Sequence, residues 1–256
     1  MPRYLIETHA HTNIVSPCSR LSPRTLVKRY HLAGYSGIVV TDHLTVSLPI
    51  FRQVDSWRER VHRFFSGFRR VRDLAKRFGL VVYPGFELSY RHTQGSDFLV
   101  YGIDETLLAE MPEVYDLDPA EFRKLADEVG AIVFRAHPFR NGNRSVTIDY
   151  VHGIEVYNGN PRHDSRNDLA VAYIAANAAT RGATHVAANN PHAASNPGTP
   201  LLASSGSDAH QLEDIGRGGI STTVLPADSS ELARLWRESS DDIELIMGPQ
   251  RVESLT

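Results

Sequence analysis

The sequence predicts an α/β fold, one domain in which helices pack around a mostly parallel sheet. Three observations predict it. Short apolar runs alternate with helical stretches from end to end, no break in composition divides the chain, and 256 residues suit a single α/β unit. Tyr4 to Glu7 opens the series as a strand. Ser22 caps and Pro23 starts the first helix, which runs to Ala33-Gly34. Gly37 to Thr41 is the second strand. The longest helix covers Ser56 to Phe78, where Trp57, Val61, Phe64, Phe65, Phe68, Val71, Leu74, Ala75 and Phe78 recur at helical spacing. That stripe reads as core. The arginines and lysine between its members (58 to 77) read as a solvated face, with a nucleic-acid face as the alternative.

Leu80 to Tyr83, Phe98 to Tyr101, Ala131 to Phe134, Gly153 to Tyr157 and Leu201 to Ser204 are further strands, bounded by Gly, Pro or charged residues. Asp118-Pro119 opens a helix that Gly130 closes, and another spans Asp164 to Arg181 before Gly182. Residues 184–200, rich in Asn, Ala, His and Pro, read as a surface loop inserted before the Leu201 strand. From 221 to 256 the chain adds a strand, Thr222 to Leu225, and a short helix near Glu231 to Arg237. These complete a single domain over 1–256.

Composition narrows the function. One cysteine cannot form an internal disulfide, and a net charge of −3 lacks the broad basic field of a general nucleic-acid binder. No apolar run approaches the roughly 18 residues of a membrane span, and the N-terminus lacks a signal-peptide core. A cytoplasmic protein without a membrane partner is the expectation; the sequence sets no oligomeric state.

The informative residues are histidines beside acids at strand ends. They occur in His9-Ala10-His11, Thr41-Asp42-His43, Gly85-Phe86-Glu87, Asp97, Arg135-Ala136-His137-Pro138 and Ser207-Asp208-Ala209-His210. In α/β sheets such positions converge on one rim, and residues i and i+2 of an extended chain point the same way. Imidazole with carboxylate suits zinc, manganese or iron, and a bridging carboxylate among histidines suits two or three ions. Each pair alone fits a structural role; together they indicate a metal site.

In this order, across residues 4 to 210, the motifs resemble the signature of the PHP (polymerase and histidinol phosphatase) family. The resemblance implies a distorted seven-stranded (β/α)7 barrel. It also implies two or three divalent ions (Mn, Zn or Fe) at the C-terminal rim and hydrolysis of phosphate esters. By that resemblance His9, His11, Glu87 and Asp208 hold one ion. Glu87 bridges to a second, bound also by His137 and by the residue opening the Phe98 strand. The family usually has histidine there and this chain has Asp97, a harder ligand that favours manganese or iron. His92 is a substitute for it. His43 and His210 would hold a third ion. Cys18, seven residues after His11, either supplies a thiolate or ligates nothing, and Asp42 would orient a neighbouring ligand.

Arg20, Arg135, Arg140, Arg162, Arg166 and Arg217 lie near these motifs, and an arginine fork matches phosphate oxygens, although each also fits a surface ion pair. Arg20, Arg140 and Arg166 are the first choices. Asn158 and Asn160 suit a hydroxyl or base edge or a simple turn. Glu155 reads as structural, and His163, His185 and His192 as exposed. The expected activity is hydrolysis of a small phosphomonoester or nucleotide by a hydroxide bridging the ions, with His43 or His210 protonating the leaving oxygen. One alternative is a phosphodiesterase or exonuclease acting on nucleotide or nucleic-acid ends, favoured only by the basic helix. Another is a non-catalytic PHP-like binding or regulatory module, which loss of ligands would signal.

Overall fold

The fold is that of a computed structural model describing residues 3–93, 95–140, 150–183 (178–183 in backbone alone) and 201–250. The 184–200 insertion, with His185 and His192, lies outside the described residues. Ten strands form one sheet: β1 (Tyr4–Ala10), β2 (Gly37–Val40), β3 (His43–Leu44), β4 (Val81–Ser89), β5 (Asp97–Tyr101), β6 (Ile132–Arg135), β7 (Gly153–Asn158), β8 (Leu202–Gly206), β9 (Gly218–Thr222) and β10 (Glu244–Met247). The order is β10-β9-β1-β2-β4-β5-β6-β7-β8, with β3 beside β4. Around it lie α1 (Pro23–Leu32), α2 (Trp57–Phe64), α3 (Ser66–Ala75), α4 (Glu105–Glu110), α5 (Pro119–Glu128), α6 (Asn167–Ala183) and α7 (Ser229–Glu238).

The sheet curls into a nearly closed barrel. Ile6, Val39, Tyr83, Leu99, Tyr101, Ile132 and Phe134 come from successive staves and form one buried cluster with Leu232, Ala233 and Trp236 of α7. That cluster is the barrel interior, and α7 seals it: the Trp236 ring stacks on Tyr101 at 5.2 Å and 8°. The turn after β8 is tied back to β1 by the Ala10–Ala209 bridge, where His11 N donates to Ala209 O (3.0 Å) and Ala209 N to His9 O (3.1 Å). Gly206 allows it, since a Cβ there would run into the His9 side chain.

Several expectations need correction. The sheet is mixed, because β5 runs antiparallel to both β4 and β6, and β9 is antiparallel to β1 and β10. The 56–78 helix is broken at Phe65 into α2 and α3, followed by a single 3₁₀ turn at Lys76–Phe78. The break keeps Phe64 and Phe65 both buried, with rings edge-on at 5.3 Å, which one straight helix would not allow. The last predicted strand starts four residues early, at Gly218 rather than Thr222. Pairing of Tyr4 with Thr222 ends the ladder there and leaves Val224 60% exposed. The short helix α4 and strands β3 and β10 carry too few residues to show a period.

Candidate metal centre

Two backbone irregularities aim the site. Glu7 pairs with Ile38 and Ala10 with Val40, so β1 carries one residue more than β2 between them. This bulge turns His9 away from the face of Glu7, which hydrogen-bonds Tyr30 of α1, and toward the side His11 shares. A second bulge lies between Glu155 and Tyr157 of β7. It brings Asn158 back beside Glu155, with Asn158 Nδ2 donating to Glu155 Oε2 at 2.9 Å.

The remaining ligand candidates are fixed by register. His43 of β3 sits directly across from Glu87 of β4, with Nδ1 2.9 Å from Oε2. The reversal of β5 puts its first residue, Asp97, opposite Ser89 and next to the end of β6. Ser89 Oγ donates to Asp97 Oδ1 (2.6 Å) and Ala136 N to Asp97 O (2.9 Å). His137 follows and brings Nε2 to 2.9 Å from Glu87 Oε1. Asp208 and His210 come from the turn after β8. Both His137 (φ 28°) and Asp208 (φ 50°) hold left-handed backbone, a conformation costing about 1–3 kcal/mol that persists where its surroundings over-determine it.

The result is a nest of donors. Glu87 Oε2 and Asp208 Oδ1 each lie 3.4–3.5 Å from both His9 Nε2 and His11 Nε2. Two buried polar atoms here, His9 Nε2 and His11 Nε2, make no hydrogen bond of ordinary geometry, and Glu87 Oε2 meets only histidine nitrogens. Buried polar atoms are rarely left unpaired, and two such nitrogens converging on two carboxylate oxygens suit a cation between them. Ligand atoms fall into three groups near enough to share an ion: His9, His11 and Asp208; Glu87, Asp97 and His137; and His11, His43 and His210. The donor set therefore fits divalent metal ions.

Electrostatics agree. Burial pushes Glu87 and Asp208 up, yet His43 and His9 hold Glu87, and His9, His11 and His210 hold Asp208, well below the usual carboxylate range. Burial pushes His9 and His43 down, but Glu155, Asp208 and Glu87 around His9, and Glu87 beside His43, leave both well above the imidazole range. Hydrogen bonds to Asp208 and Cys18 outweigh burial and raise His210 to about 9. His11 goes the other way, lowered by burial and by His210 and His43. Protons supply here some of the positive charge that the carboxylates require.

All eight predicted histidine and carboxylate ligands meet in this nest. Cys18 is exposed at its edge; burial raises its thiol, and hydrogen bonds to His210 and His43 bring it down to about 6. His92 is exposed on a turn and joins none of the three groups. Asp42 holds the loop after His11 instead of facing the nest: it accepts from Thr12 N, Thr12 Oγ1 and Ser16 Oγ, each at 2.7 Å.

Of these six arginines, only Arg140 sets its guanidinium against the side chain of a ligand candidate, Nη2 lying 2.7 Å from Asp208 Oδ2. Arg20 is exposed, donates its backbone N–H to His210 O (2.8 Å), and its guanidinium has no partner among the described residues. Arg166 is exposed and pairs with Asp168. Arg135 binds the carbonyls of Asp97 and Gly95, Arg217 that of Gly159, and Arg162 pairs with Asp214, which accepts His210 N. Asn160 donates to Asp208 O (3.2 Å), and His163 is exposed.

Glu155 and Glu7 were legible only as strand residues. Glu155 Oε1 lies 2.8 Å from His9 Nδ1. Glu7 Oε1 accepts from Thr8 N, His9 N and Ser207 N at 2.9–3.0 Å, clipping β1 to the Asp208 turn. The available signal was an acid inside an otherwise apolar run, which folding buries only with partners.

No family model matches the chain, and no curated protein matches it in sequence. Solved structures do match. A two-domain protein of Bacteroides vulgatus ATCC 8482, described as containing a predicted PHP-like metal-dependent phosphoesterase, superposes with TM-score 0.65 at 15% identity over 96% of this chain. The fold is that of the PHP-like barrel. The chain spans 65% of the length of the Bacteroides protein. PsfC of Pseudomonas syringae PB-5123 matches with TM-score 0.57 and 17% identity, covering 98% of this chain and 93% of its own. An amidohydrolase of Chromobacterium violaceum, with sulfate bound and no metal, matches with TM-score 0.52 and 16% identity over 94% of this chain and 97% of its own.

Proposed function

We propose that this chain is a metal-dependent hydrolase of small phosphate esters, a phosphomonoester or nucleotide. The observation that carries the reading is the convergence of the buried His9 Nε2 and His11 Nε2, neither in a hydrogen bond of ordinary geometry, on Glu87 Oε2 and Asp208 Oδ1 at 3.4–3.5 Å. His9, His11, Glu87 and Asp208 would hold one ion, Glu87, Asp97 and His137 a second, and His43 with His210 a third, for which Cys18 is the nearby thiol. Bound ions of manganese, zinc or iron supply Lewis acidity toward phosphoryl oxygens and lower the pKa of water.

The chain's own groups supply the rest. Glu87 and Asp208 stay ionised, held low by the histidines around them. Where no third ion engages it, His210 keeps a proton at neutral pH, and with Nδ1 turned to Asp208 it would deliver a proton to a leaving oxygen from Nε2. The unpaired guanidinium of Arg20, beside His210 in the backbone, is the cation best placed for a phosphoryl oxygen. Arg140 and Arg166 are engaged by Asp208 and Asp168.

The diesterase alternative rests on the basic stretch 58–77, most of whose cations are paired with acids. Arg58, Arg60, Arg63, Arg69, Arg72 and Lys76 of the basic helix pair are bound to Glu110, Glu113, Glu59, Glu105 and Asp73. An amide hydrolase is the second reading, favoured by the Chromobacterium neighbour. The test is turnover of p-nitrophenyl phosphate with added manganese or zinc, abolished by chelator. Faster turnover of bis-p-nitrophenyl phosphate, or of an anilide alone, would replace the monoesterase reading. For the thiol, a Cys18→Ser chain that retains as many ions as wild type would make Cys18 a bystander.

A further inference from the structure

Strand β7 contributes no ligand candidate, yet it sends two buried polar side chains, Glu155 and Asn158, to the edge of the nest. They belong to a closed circuit. His9 Nδ1 meets Glu155 Oε1 at 2.8 Å, and Glu155 Oε2 accepts from Asn158 Nδ2 at 2.9 Å. Asn158 Oδ1 accepts from Arg140 Nη2 at 2.8 Å, and the same nitrogen donates to Asp208 Oδ2 at 2.7 Å. Asp208 Oδ1 then faces His9 Nε2 at 3.5 Å, which returns the circuit to its start.

Chemistry fixes the direction of every link. A carboxylate only accepts and a guanidinium only donates, so Asn158 has to turn its NH₂ to Glu155 and its oxygen to Arg140. Glu155 likewise places a proton on His9 Nδ1, which leaves Nε2 as the lone-pair nitrogen once the ring is neutral. Glu155 Oε2 also accepts His137 N at 2.9 Å, at the residue with the left-handed backbone. On the other side Arg140 and Asn160 occupy Asp208 Oδ2, so Oδ1 alone faces His9 and His11. Ser165 Oγ, 3.1 Å from Arg140 Nη2, keeps the guanidinium in place.

We propose that Glu155, Asn158 and Arg140 are positioning residues that preset His9 and Asp208 as metal donors, Glu155 by fixing the His9 tautomer and Arg140 by reserving the outer oxygen of Asp208. This rests on the metal reading above and assigns to β7 the orienting of ligands carried by β1 and β8. Carboxylate–histidine–metal arrangements of this kind typically govern 10–100-fold in ion affinity.

The experiment is competition titration of Zn²⁺ with a chromophoric chelator on wild type, Glu155→Gln, Arg140→Gln and Tyr35→Phe, with proton NMR of His9 Nδ1–H in Zn²⁺-loaded protein. Tyr35→Phe deletes a buried hydrogen bond, to Gly218 O at 2.6 Å, that is outside the circuit. The expected result is a 10–100-fold loss of affinity in Glu155→Gln and Arg140→Gln but not in Tyr35→Phe. The Nδ1–H resonance should move upfield in Glu155→Gln, where a neutral amide replaces the carboxylate acceptor. Wild-type affinity in Glu155→Gln with an unmoved resonance overturns the assignment while the metal reading stands. Affinity lost equally in Tyr35→Phe overturns it too, since any buried loss would then do the same. A wild type that takes up no Zn²⁺ overturns both.

Discussion

Glu87 sits where the three donor groups meet, in contact with His9, His11, His43 and His137. Glu87→Gln should therefore reduce bound metal and turnover more than alanine at any single histidine, because the amide removes the charge that several cationic neighbours share. Metal content and turnover of the variants, side by side, check this. The protonation states make a second prediction. A ligand must lose its proton to bind, and His210 keeps its proton up to about pH 9. Zn²⁺ affinity should therefore rise with pH up to and through about 9, with protons released on binding. In the metal-free protein the raised His210 stabilises the fold fully below its unfolded value near 6.5. That contribution fades as pH climbs through about 9, so the melting temperature should fall over the same window. Calorimetric titrations in buffers of different ionisation enthalpy, and melting curves of the apo chain, measure both.

At the scale of elements, the strands most legible in the sequence were those with strong β-branched or aromatic runs. Gly37–Val40, Ile132–Arg135 and Gly153–Asn158 fall within a residue or so of expectation. The helices with capping residues did as well: Ser22 and Asp118 each accept the backbone N–H bond expected of an N-cap. What was not legible was direction and irregularity. The reversal of β5 has no period of its own, yet it alone carries Asp97 to His137. The two bulges invert the inside–outside parity that spacing assumes, which is why Glu155 read as a structural strand residue. Closure is equally local. Gly206→Ala should cost roughly 1–3 kcal/mol or more, because the new methyl meets the His9 side chain and backbone and neither is a flexible tip. Denaturant unfolding of the variant against Gly37→Ala, which crowds Tyr83 and Ile6 in the barrel interior, separates loss of closure from generic crowding. Only the former should also lower metal content.

For the whole molecule, the barrel explains why motifs scattered from residue 9 to residue 210 act together. Strands β1, β3, β4, β5 and β7 and the turns after β6 and β8 each deliver one or two side chains to the same end, and the opposite end is filled by Trp236 and its neighbours on α7. Among the described residues no helix is long and apolar enough to cross a membrane. The ligand candidates were legible in the sequence because histidine and acid types at strand ends are chemically distinctive. The arginines were not, because a guanidinium reads the same in sequence whether it faces substrate, a carbonyl or Asp208. The central claim is that this end of the barrel is a metal centre, and elemental analysis of the purified chain after reconstitution tests it most directly. Two or three ions per chain is the predicted result, and less than one ion per chain would contradict it.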